Sequence, residues 1–353
     1  MKIKGLTLEI LELIAVLIDF PCSLINRFEC SSRNIYRIIG RLIDAGLIKR
    51  FRKDKMGSLR LTNKGQSYLL EHDRGRIGKL EDNRKYSKSE TEKRRRLHRI
   101  ASTYIAMRNG GVRIYKDQKP EMFSNSNVGE VEINEPIFYS SLEIKELGIE
   151  CTKIKFCRTV EMLLANNEDG FIVYNSQNAL MKWSSKAEQR IYGALYGLLL
   201  DSGIQINDFA GLMIGDNMEL LKRMLLSDGG TRKQLFKVDD TFNEFYYVPE
   251  DKNGDFMISI LVNKEIRNEI DKELIDMFEI TECLRPYVCM GMDREGKPVL
   301  FAYGLNMVNL RKFKCGLEMF EGKGIVVCFE FQRKVLEEYF GELAEVVCVE
   351  ISL

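Results

Sequence analysis

Basic and amide side chains recur between residues 32 and 55 at a spacing that suits contact with nucleic acid. One group falls on a single face of a helical pattern, and a second group lies in a basic turn. Arginine and asparagine can read base edges through paired hydrogen bonds, while lysine and arginine bind phosphates. The predicted contact residues are Ser32, Arg33, Asn34, Tyr36, Arg37, Arg41, Arg52, Lys53 and Lys55. Of these, we expect base edges to be met by Arg33, Asn34 and Arg37, and phosphates by Arg41, Lys53 and Lys55.

An amphipathic helix must present the first group. Ser31 and Ser32 can cap its first turn, because a serine side chain accepts a hydrogen bond from a main-chain N–H there. The helix ends at Ala45-Gly46, where glycine suits the final turn. Its apolar face, opposite the basic one, carries Ile35, Ile38, Ile39, Leu42 and Ile43.

A hairpin must present the second group. Residues 47–51 are predicted to pair with residues 58–61 across the turn 52–57. Apolar spacing also predicts a helix over 6–20, a short helix near 23–28 and a helix that begins at Thr62. This order of helices and hairpin resembles the winged helix-turn-helix class, in which one helix enters a DNA groove and the hairpin is the wing.

Charge is distributed unevenly along the chain. The first 100 residues hold 24 Lys and Arg against 12 Asp and Glu, whereas the other residues hold 29 against 40. Units of three helices and a hairpin also serve as protein-docking modules, but a basic end on an acidic body favours contact with phosphates through that end. The basic run 93–96, with Arg99, is compatible with a solvated face and with a second phosphate contact.

Composition divides the 353 residues into two domains and a linker. We predict a winged helix-turn-helix domain over 1–72, a charged linker over 73–96 and an α/β body over 97–353. The body is further divided into similar subunits of about 97–245 and 246–353.

The body carries a pattern of strands and helices that recurs. The first occurrence is a hairpin of 170–175 with 179–183, a helix over 184–201, a strand over 209–215 and a helix over 217–227. Strands over 246–248 and 256–262 and a helix over 264–278 follow. The second occurrence is a hairpin of 287–292 with 298–303, a helix over 306–314, a strand over 324–331 and a helix over 332–340. The predicted class is therefore α+β or α/β, and a degenerate restriction-endonuclease-like fold is one interpretation of the body.

Metal-dependent cleavage in that fold needs an acid at the end of one strand and an acid-x-Lys pair on the next. The second strand, VLFAYGL, has neither acid nor lysine, and Asp293 and Glu295 fall in the hairpin turn. Asp169 and Glu188 with Lys182 form no better set. We therefore predict no catalytic residue, no metal site and no cofactor, and prefer a non-enzyme while leaving that question open.

The nine cysteines lie mostly inside apolar strings such as VVCFEF and form no Cys-x-x-Cys pair. They are interpreted as reduced core residues rather than as disulfides or zinc ligands. The sequence has no run of about 18 apolar residues, the length that would predict a membrane span. Glu9, Glu12 and Asp19 interrupt the apolar N-terminus. We expect a cytoplasmic protein without a membrane partner.

Several segments together resemble one family. They are AGLIKR, LTNKG, the basic segment RRRLHRIAS and an Arg-Pro pair before the last strand and hairpin. This layout is similar to that of the replication-relaxation proteins of plasmids and conjugative elements in Gram-positive bacteria. The resemblance implies a role in plasmid replication, DNA relaxation or conjugative transfer, with a nuclease-related body. That family favours acids after the Arg-Pro and on the next strand, where this chain has Tyr287 and residues 302–305, so no catalytic residue is carried over.

Three functions are compatible with these patterns. The first is a sequence-specific double-stranded DNA-binding protein of a mobile element, whose body supports dimerisation or recruits replication or transfer proteins. The second is a winged-helix transcriptional regulator whose body senses a ligand or a partner. The third is a metal-dependent nicking endonuclease. We favour the first and expect a homodimer, as is common for DNA-binding proteins of this class.

Overall fold

The computed structural model describes residues 3–72, 90–120, 132–146, 160–230, 234–282 and 288–351. Over these ranges the protein is mixed α and β, with three sheets. The chain divides into two compact units, Met1–Glu121 and Met122–Leu353. None of the helices within these ranges combines the length and the apolar character that crossing a bilayer requires.

The N-terminal unit consists of helices around a small antiparallel sheet of order β1-β3-β2. Its elements are α1 Leu6–Leu17, β1 Phe20–Pro21, a 3-10 helix Cys22–Arg27, α2 Ser32–Asp44, β2 Ile48–Lys53, β3 Met56–Leu61, α3 Asn63–His72 and α4 Thr91–Asn109. The helices predicted over 6–20, near 23–28 and from Thr62 are therefore present. The first of them ends early, because Ile18 adopts a φ of 64° and leads the chain into β1.

α2 forms as predicted from its cap and its apolar spacing. The side chain of Ser31 accepts a hydrogen bond from the main-chain N–H of Asn34 at 3.4 Å, which satisfies one N–H of the first turn. Burial of one isoleucine or leucine side chain stabilises a fold by about 1.5–3 kcal/mol relative to exposure. The apolar face therefore determines which side of α2 points outward. Its buried residues are Ile35, Ile38, Ile39 and Leu42.

The hairpin is tighter than predicted. β2 and β3 pair as far as Lys53 and Met56, so the turn consists of Asp54 and Lys55 rather than of residues 52–57. Both turn residues have positive φ, 52° and 62°. Two-residue turns of this kind match the twist of the paired strands, which lets the pairing continue to the tip. The basic residues before Asp54 are therefore strand residues.

The start of the body also differs from the prediction. α4 begins at Thr91 rather than at Leu97, and it belongs to the N-terminal unit, which continues to Glu121. Arg94, which was assigned to a solvated linker, is fully buried in this unit. The physical reason is a buried carboxylate that binds it, described below. Residues 73–89 of the predicted linker lie outside the described residues.

The first sheet of the C-terminal unit has the order β4-β5-β6-β7-β8. Its strands are β4 Ile137–Tyr139, β5 Glu161–Leu164, β6 Asp169–Gln177, β7 Asp208–Gly215 and β8 Phe245–Pro249. β5 is antiparallel to both of its neighbours, whereas β6, β7 and β8 are parallel. The helices of this part are α5 Ser141–Glu146, α6 Ser185–Asp201, α7 Met218–Leu225, α8 Lys252–Leu261 and α9 Lys264–Phe278.

The second sheet, of order β12-β11-β10-β9, repeats part of that topology. Its elements are β9 Gly291–Met292, β10 Pro298–Phe301, α10 Met307–Met319, β11 Gly324–Cys328, α11 Arg333–Phe340 and β12 Ala344–Cys348. As in β5 to β8, an antiparallel hairpin is followed by helix, parallel strand, helix and parallel strand. The predicted boundary between 245 and 246 falls inside β8, which pairs with β7 of the first sheet.

Two predicted strands are wrong. β6 forms its hairpin with β5 and not with residues 179–183, which make an isolated bridge at Lys182. Residues 256–262 belong to α8 and its C-cap rather than to a strand. Asp251 caps this helix by accepting hydrogen bonds from N–H groups of the first turn, and a continuous apolar run fits a buried helix as well as a strand. The predicted hairpin of the second occurrence forms as β9 and β10, while Tyr287 lies outside the described residues.

Candidate nucleic-acid interface

The outward side of α2 is basic. Arg33, Arg37 and Arg41 are exposed, and Tyr36 beside them has 51% of its surface exposed. The three arginines are spaced four residues apart, so their side chains lie in one row along the helix. Each guanidinium presents several N–H donors in a planar arrangement. This row can therefore donate hydrogen bonds to one extended acceptor surface.

Local hydrogen bonds orient Arg37. The side-chain amide of Asn34 donates to the sulfur of Cys30 at 2.9 Å, and its carbonyl oxygen accepts from Nη2 of Arg37 at 2.7 Å. Asn34 is half-buried, whereas Ser32 in the same turn is exposed. Arg37 keeps the other donors of its guanidinium for an outside partner. The Asn34 amide keeps one N–H donor and one lone pair of its oxygen beyond these two hydrogen bonds.

The hairpin presents the second predicted group. Arg52, Lys53 and Lys55 are exposed, and Lys55 stands in the turn itself. β2 is an outer strand of its sheet. The structure thus brings both predicted groups onto the N-terminal unit, one on α2 and one on the β2–β3 hairpin.

A buried carboxylate holds this unit together. Asp19, directly after α1, is inaccessible to solvent. Its Oδ1 accepts hydrogen bonds from the hydroxyl of Ser58 at 2.6 Å and from Nε of Arg60 at 2.5 Å. Its Oδ2 accepts from Nε of Arg94 at 2.9 Å and lies 3.0 Å from Nε2 of His98. These five residues, the Asp19 cluster, join α1 to both β3 and α4.

Arg94 extends the Asp19 cluster to the tip of the hairpin. Its guanidinium donates to the carbonyl of Lys53 at 2.9 Å and to the carbonyl of Met56 at 3.1 Å, one on each side of the turn. The hydroxyl of Thr91, at the start of α4, donates a hydrogen bond to Asp54 in the turn. The position of the basic hairpin is therefore set by a helix that comes later in the chain.

The electrostatics of the Asp19 cluster favour an ionised acid. Burial is the largest influence on the pKa of Asp19 and alone would raise it, but hydrogen bonds from the other four members together hold that pKa well below its ordinary value. The negative charge compensates the buried guanidinium groups of Arg60 and Arg94. The central carbons of these groups also lie 3.6 and 4.8 Å from the centre of the Phe51 ring, which adds cation–π attraction.

The basic run at the start of α4 is divided between the interior and the surface. Arg94 belongs to the Asp19 cluster, so for this residue both interpretations, a solvated face and a phosphate contact, are wrong. Lys93 and Arg95 are exposed and lie 2.7 Å from Glu90 and 2.5 Å from Glu92. Exposed pairs contribute about 0–1 kcal/mol to stability. Their acids also weaken the attraction of Lys93 and Arg95 for phosphate.

Sequence reasoning did not find the Asp19 cluster. Asp19 and Arg94 are 75 positions apart in the chain. One signal was present, because Asp19 is an acid inside the apolar string LIDFP and a buried charge needs a partner. The chain has many arginines, and no local pattern indicates which of them supplies that partner.

The acids considered for metal-dependent cleavage have structural contacts. Oδ1 of Asp293 accepts hydrogen bonds from the main-chain N–H groups of Glu295 at 3.0 Å and Lys297 at 2.7 Å, which stabilise the β9–β10 turn. Asp169 forms an ion pair with an arginine of α9, and Glu188 accepts a hydrogen bond from a tyrosine of β6. No group of three or more His, Cys, Asp or Glu side chains in the described ranges is arranged to hold a metal ion.

Comparisons of the chain with protein-family models, with curated proteins and with solved structures found no significant match. The function is therefore inferred from the residues of the chain itself. The candidate interface consists of α2, the β2–β3 hairpin and the Asp19 cluster that positions the hairpin.

Proposed function

We propose that this chain is a sequence-specific double-stranded DNA-binding protein of a mobile genetic element. In this proposal the N-terminal unit is a winged helix-turn-helix domain, α2 is its recognition helix and the β2–β3 hairpin is its wing. The order of helices and hairpin supports this assignment. The observation that carries it is the combination, on α2, of a buried apolar face with an exposed row of Arg33, Arg37 and Arg41.

The dimensions of B-DNA suit this arrangement, since its major groove accommodates one α-helix. Arg33 and Arg37 are then placed to donate to base edges, with Arg37 oriented by Asn34. Arg41 and the basic residues of the hairpin are assigned to phosphates, which fix register and orientation. Contacts of both kinds are needed, because phosphate contacts carry affinity but little sequence information.

Three basic side chains of the proposed surface lack a neutralising acid among the described residues. In the described part of the chain, no ion pair neutralises Arg33, Arg41 or Lys55. Basic side chains without such partners attract a polyanion more strongly than paired ones do. This supports phosphate contact at the exposed face of α2 and at the hairpin.

Footprinting and mobility-shift assays of the full-length protein on its own flanking genomic DNA test the proposal. We expect a protected sequence that resists competition by unrelated DNA. Simultaneous substitution of Arg33, Arg37 and Arg41 by alanine should abolish the footprint, because it removes the proposed base contacts and three positive charges.

A matched control separates this effect from a loss of net charge. Lys272, Lys323 and Lys334 are exposed in the C-terminal unit, and their replacement by alanine removes the same charge. The control variant should keep the footprint. Wild-type protein that protects no sequence, or equal losses in both triple variants, would refute the assignment of α2 as recognition helix.

The mobile-element part of the proposal is supported by the resemblance to replication-relaxation proteins. It assigns the C-terminal unit a nuclease-like fold that supports homodimerisation or recruits replication or transfer proteins in the cytoplasm, without catalysis. The turn contacts of Asp293 support the absence of catalysis. Supercoiled flanking DNA with Mg²⁺ or Mn²⁺ should be protected without being nicked. Metal-dependent nicks that disappear in Asp293→Ala would instead identify an endonuclease.

A groove in the C-terminal unit favours a second candidate, a winged-helix regulator that senses a small molecule. The groove has a volume of about 560 Å³, within the range of ligand pockets. Its lining combines apolar side chains with three basic residues, Lys237, Arg311 and Lys312, and two acids, Asp239 and Asp240. Asp239 already accepts hydrogen bonds from Trp183 and Ser185, so the excess of basic side chains suits an anion with an apolar body. The fluorescent anion anilinonaphthalene sulfonate should bind there and change the affinity for the footprinted DNA. An affinity that does not respond to this anion would count against the regulator.

A further inference from the structure

Two cysteine sulfurs face each other across β11 and β12. β12 lies at one edge of the second sheet and pairs in parallel with β11, with Cys328 opposite Cys348. Their Sγ atoms are 3.8 Å apart. Neighbouring strands lie about 4.8 Å apart, and a disulfide joins residues whose Cα atoms are about 4.4–6.8 Å apart. Rotation of the two side chains can therefore bring the sulfurs to bonding distance.

The environments of the two sulfurs differ. Cys328 is fully buried, and burial raises the pKa of its thiol, with Cys348 adding to the effect. Cys348 is partly exposed, and its sulfur accepts a hydrogen bond from Nε of Arg333 at 3.0 Å. Arg333 also lies 3.3 Å from Glu330, which reduces the positive charge that it brings. The thiolate is the nucleophilic form of cysteine, and Cys348 is the more accessible of the two sulfurs to a reagent in solution.

We propose that Cys348 and Cys328 form a peroxide-reactive pair, with Cys348 as the attacking residue and Cys328 as the resolving residue. The Cys348 thiolate attacks one oxygen of hydrogen peroxide, so that an S–O bond forms, the O–O bond breaks and hydroxide leaves. Cys348 becomes a sulfenic acid while the peroxide is reduced. The Cys328 thiol then attacks the sulfenic sulfur. The S–S bond forms, the S–O bond breaks, and the departing hydroxyl group takes the Cys328 proton and leaves as water.

The disulfide links β12 covalently to β11. β12 is an edge strand, and β11 is its hydrogen-bonded neighbour in the sheet. The disulfide therefore ties this edge strand to the strand beside it. A thiol such as dithiothreitol reverses the reaction by exchange. No step of this reaction involves DNA, and the inference stands independently of the proposed function.

Peptide mass spectrometry tests the pair in the full-length protein. The protein is treated with hydrogen peroxide at neutral pH, remaining thiols are alkylated with N-ethylmaleimide, and the digest is analysed. We expect a peptide in which Cys328 is joined to Cys348, two hydrogens lighter than the reduced pair and lost on treatment with dithiothreitol. Cys348 recovered as sulfinic acid beside alkylated Cys328 would overturn the proposal. So would Cys348 joined to another cysteine, or both residues remaining alkylated.

Three variants test the separate roles. Arg333→Gln removes the guanidinium beside Cys348 and should slow the cross-link several-fold, whereas Cys315→Ser, which removes an exposed cysteine of α10, should leave its rate unchanged. Cys328→Ser should let the sulfenic acid of Cys348 accumulate, where dimedone traps it. Equal rates for Arg333→Gln and the wild type would remove the role of Arg333. Circular dichroism verifies each fold, and the wild-type cross-link remains a test if a variant does not fold.

Discussion

Among the described residues, the N-terminal unit has a fully buried ion pair as well as exposed pairs, whereas the ion pairs of the C-terminal unit lie nearer the surface. In the N-terminal unit Asp19 is buried with Arg60 and Arg94, while the basic row of α2 is outside. In the C-terminal unit several cations near the surface pair with acids there. Those pairs include Lys222 with Glu338, Lys264 with Glu168 and Arg267 with Asp169.

This difference separates two uses of charge. Removing one partner of a buried ion pair is strongly destabilising because it leaves a buried charge unpaired, whereas an exposed pair contributes little to stability. The N-terminal unit therefore places one acid among buried arginines, while Arg33, Arg37 and Arg41 on α2 are exposed. The C-terminal unit presents compensated surfaces at the pairs described.

Removing the buried acid should have the largest effect, a loss of stability in the N-terminal unit alone. In Asp19→Ala, Arg60 and Arg94 remain buried without a counter-charge, so we expect the N-terminal unit to lose about 3–5 kcal/mol of unfolding free energy. The C-terminal unit should be unchanged. Urea denaturation checks this, because the single tryptophan, Trp183, reports on the C-terminal unit alone and circular dichroism reports on both.

An exposed pair of the same unit is the control. Arg95→Ala breaks the contact with Glu92, and its cost should stay below about 1 kcal/mol. Similar losses for Asp19→Ala and Arg95→Ala would contradict the distinction between buried and exposed ions.

Low pH should also destabilise the N-terminal unit, because it protonates Asp19. Because the pKa of Asp19 is held well below its ordinary value, the ionised form stabilises the folded unit. This contribution is complete above the pKa of an unfolded aspartate, about 3.9. It is lost as pH falls from there toward the lower pKa of the folded state. Asp19→Asn should therefore flatten the dependence of N-terminal stability on pH below about 4, measured by urea denaturation at a series of pH values. Parallel curves for both proteins would argue against this account.

Substitution on α2 should have a smaller effect, on binding rather than on stability. Arg37→Ala should weaken binding to the footprinted site by about 1–3 kcal/mol and relax the preference for its sequence. The exposed Lys323→Ala in the C-terminal unit is the control. Competition assays with matched and scrambled sites measure both quantities. Unchanged preference in Arg37→Ala would remove the base contact from the proposal.

Substitution at the hairpin tip should have the smallest effect. Lys55→Ala removes one proposed phosphate contact, so the slope of log affinity against log salt concentration should fall by about 1 with the sequence preference unchanged. Titrations at several salt concentrations provide the slope. A changed preference at constant slope would assign Lys55 to a base edge instead.

Local signals explain why part of the N-terminal unit could be predicted from the sequence. The Ser31 cap, the apolar spacing of α2 and the basic turn between two short strand segments each extend over a few residues. The turn is shorter than predicted. Asp54 and Lys55 have positive φ values, and without a glycine the sequence gives no strong signal for such a turn. The exposure of Arg33, Tyr36, Arg37 and Arg41 then followed from the buried face of α2.

Long-range partners explain most of what could not be predicted. The Asp19 cluster joins residues from three distant segments, and the choice of Arg94 depends on the folded arrangement alone. In the C-terminal unit, the sequence pattern of residues 256–262 predicts a strand, but these residues belong to a helix and its C-cap; a short run that is apolar except for Ser259 does not distinguish a helical from an alternating period. The short strand β5 was missed, so β6 was assigned the wrong hairpin partner.

The contacts of Arg94 make the N-terminal unit depend on two segments of the chain, residues 3–72 and residues 90–120. A polypeptide that ends at His72 would contain α2 and the hairpin but would lack the residue that binds the carbonyls of Lys53 and Met56. A separate peptide spanning residues 90–120 supplies that residue. The two pieces should consequently reassemble by fragment complementation, and a proteolytic cut between them should not release the basic hairpin from its support.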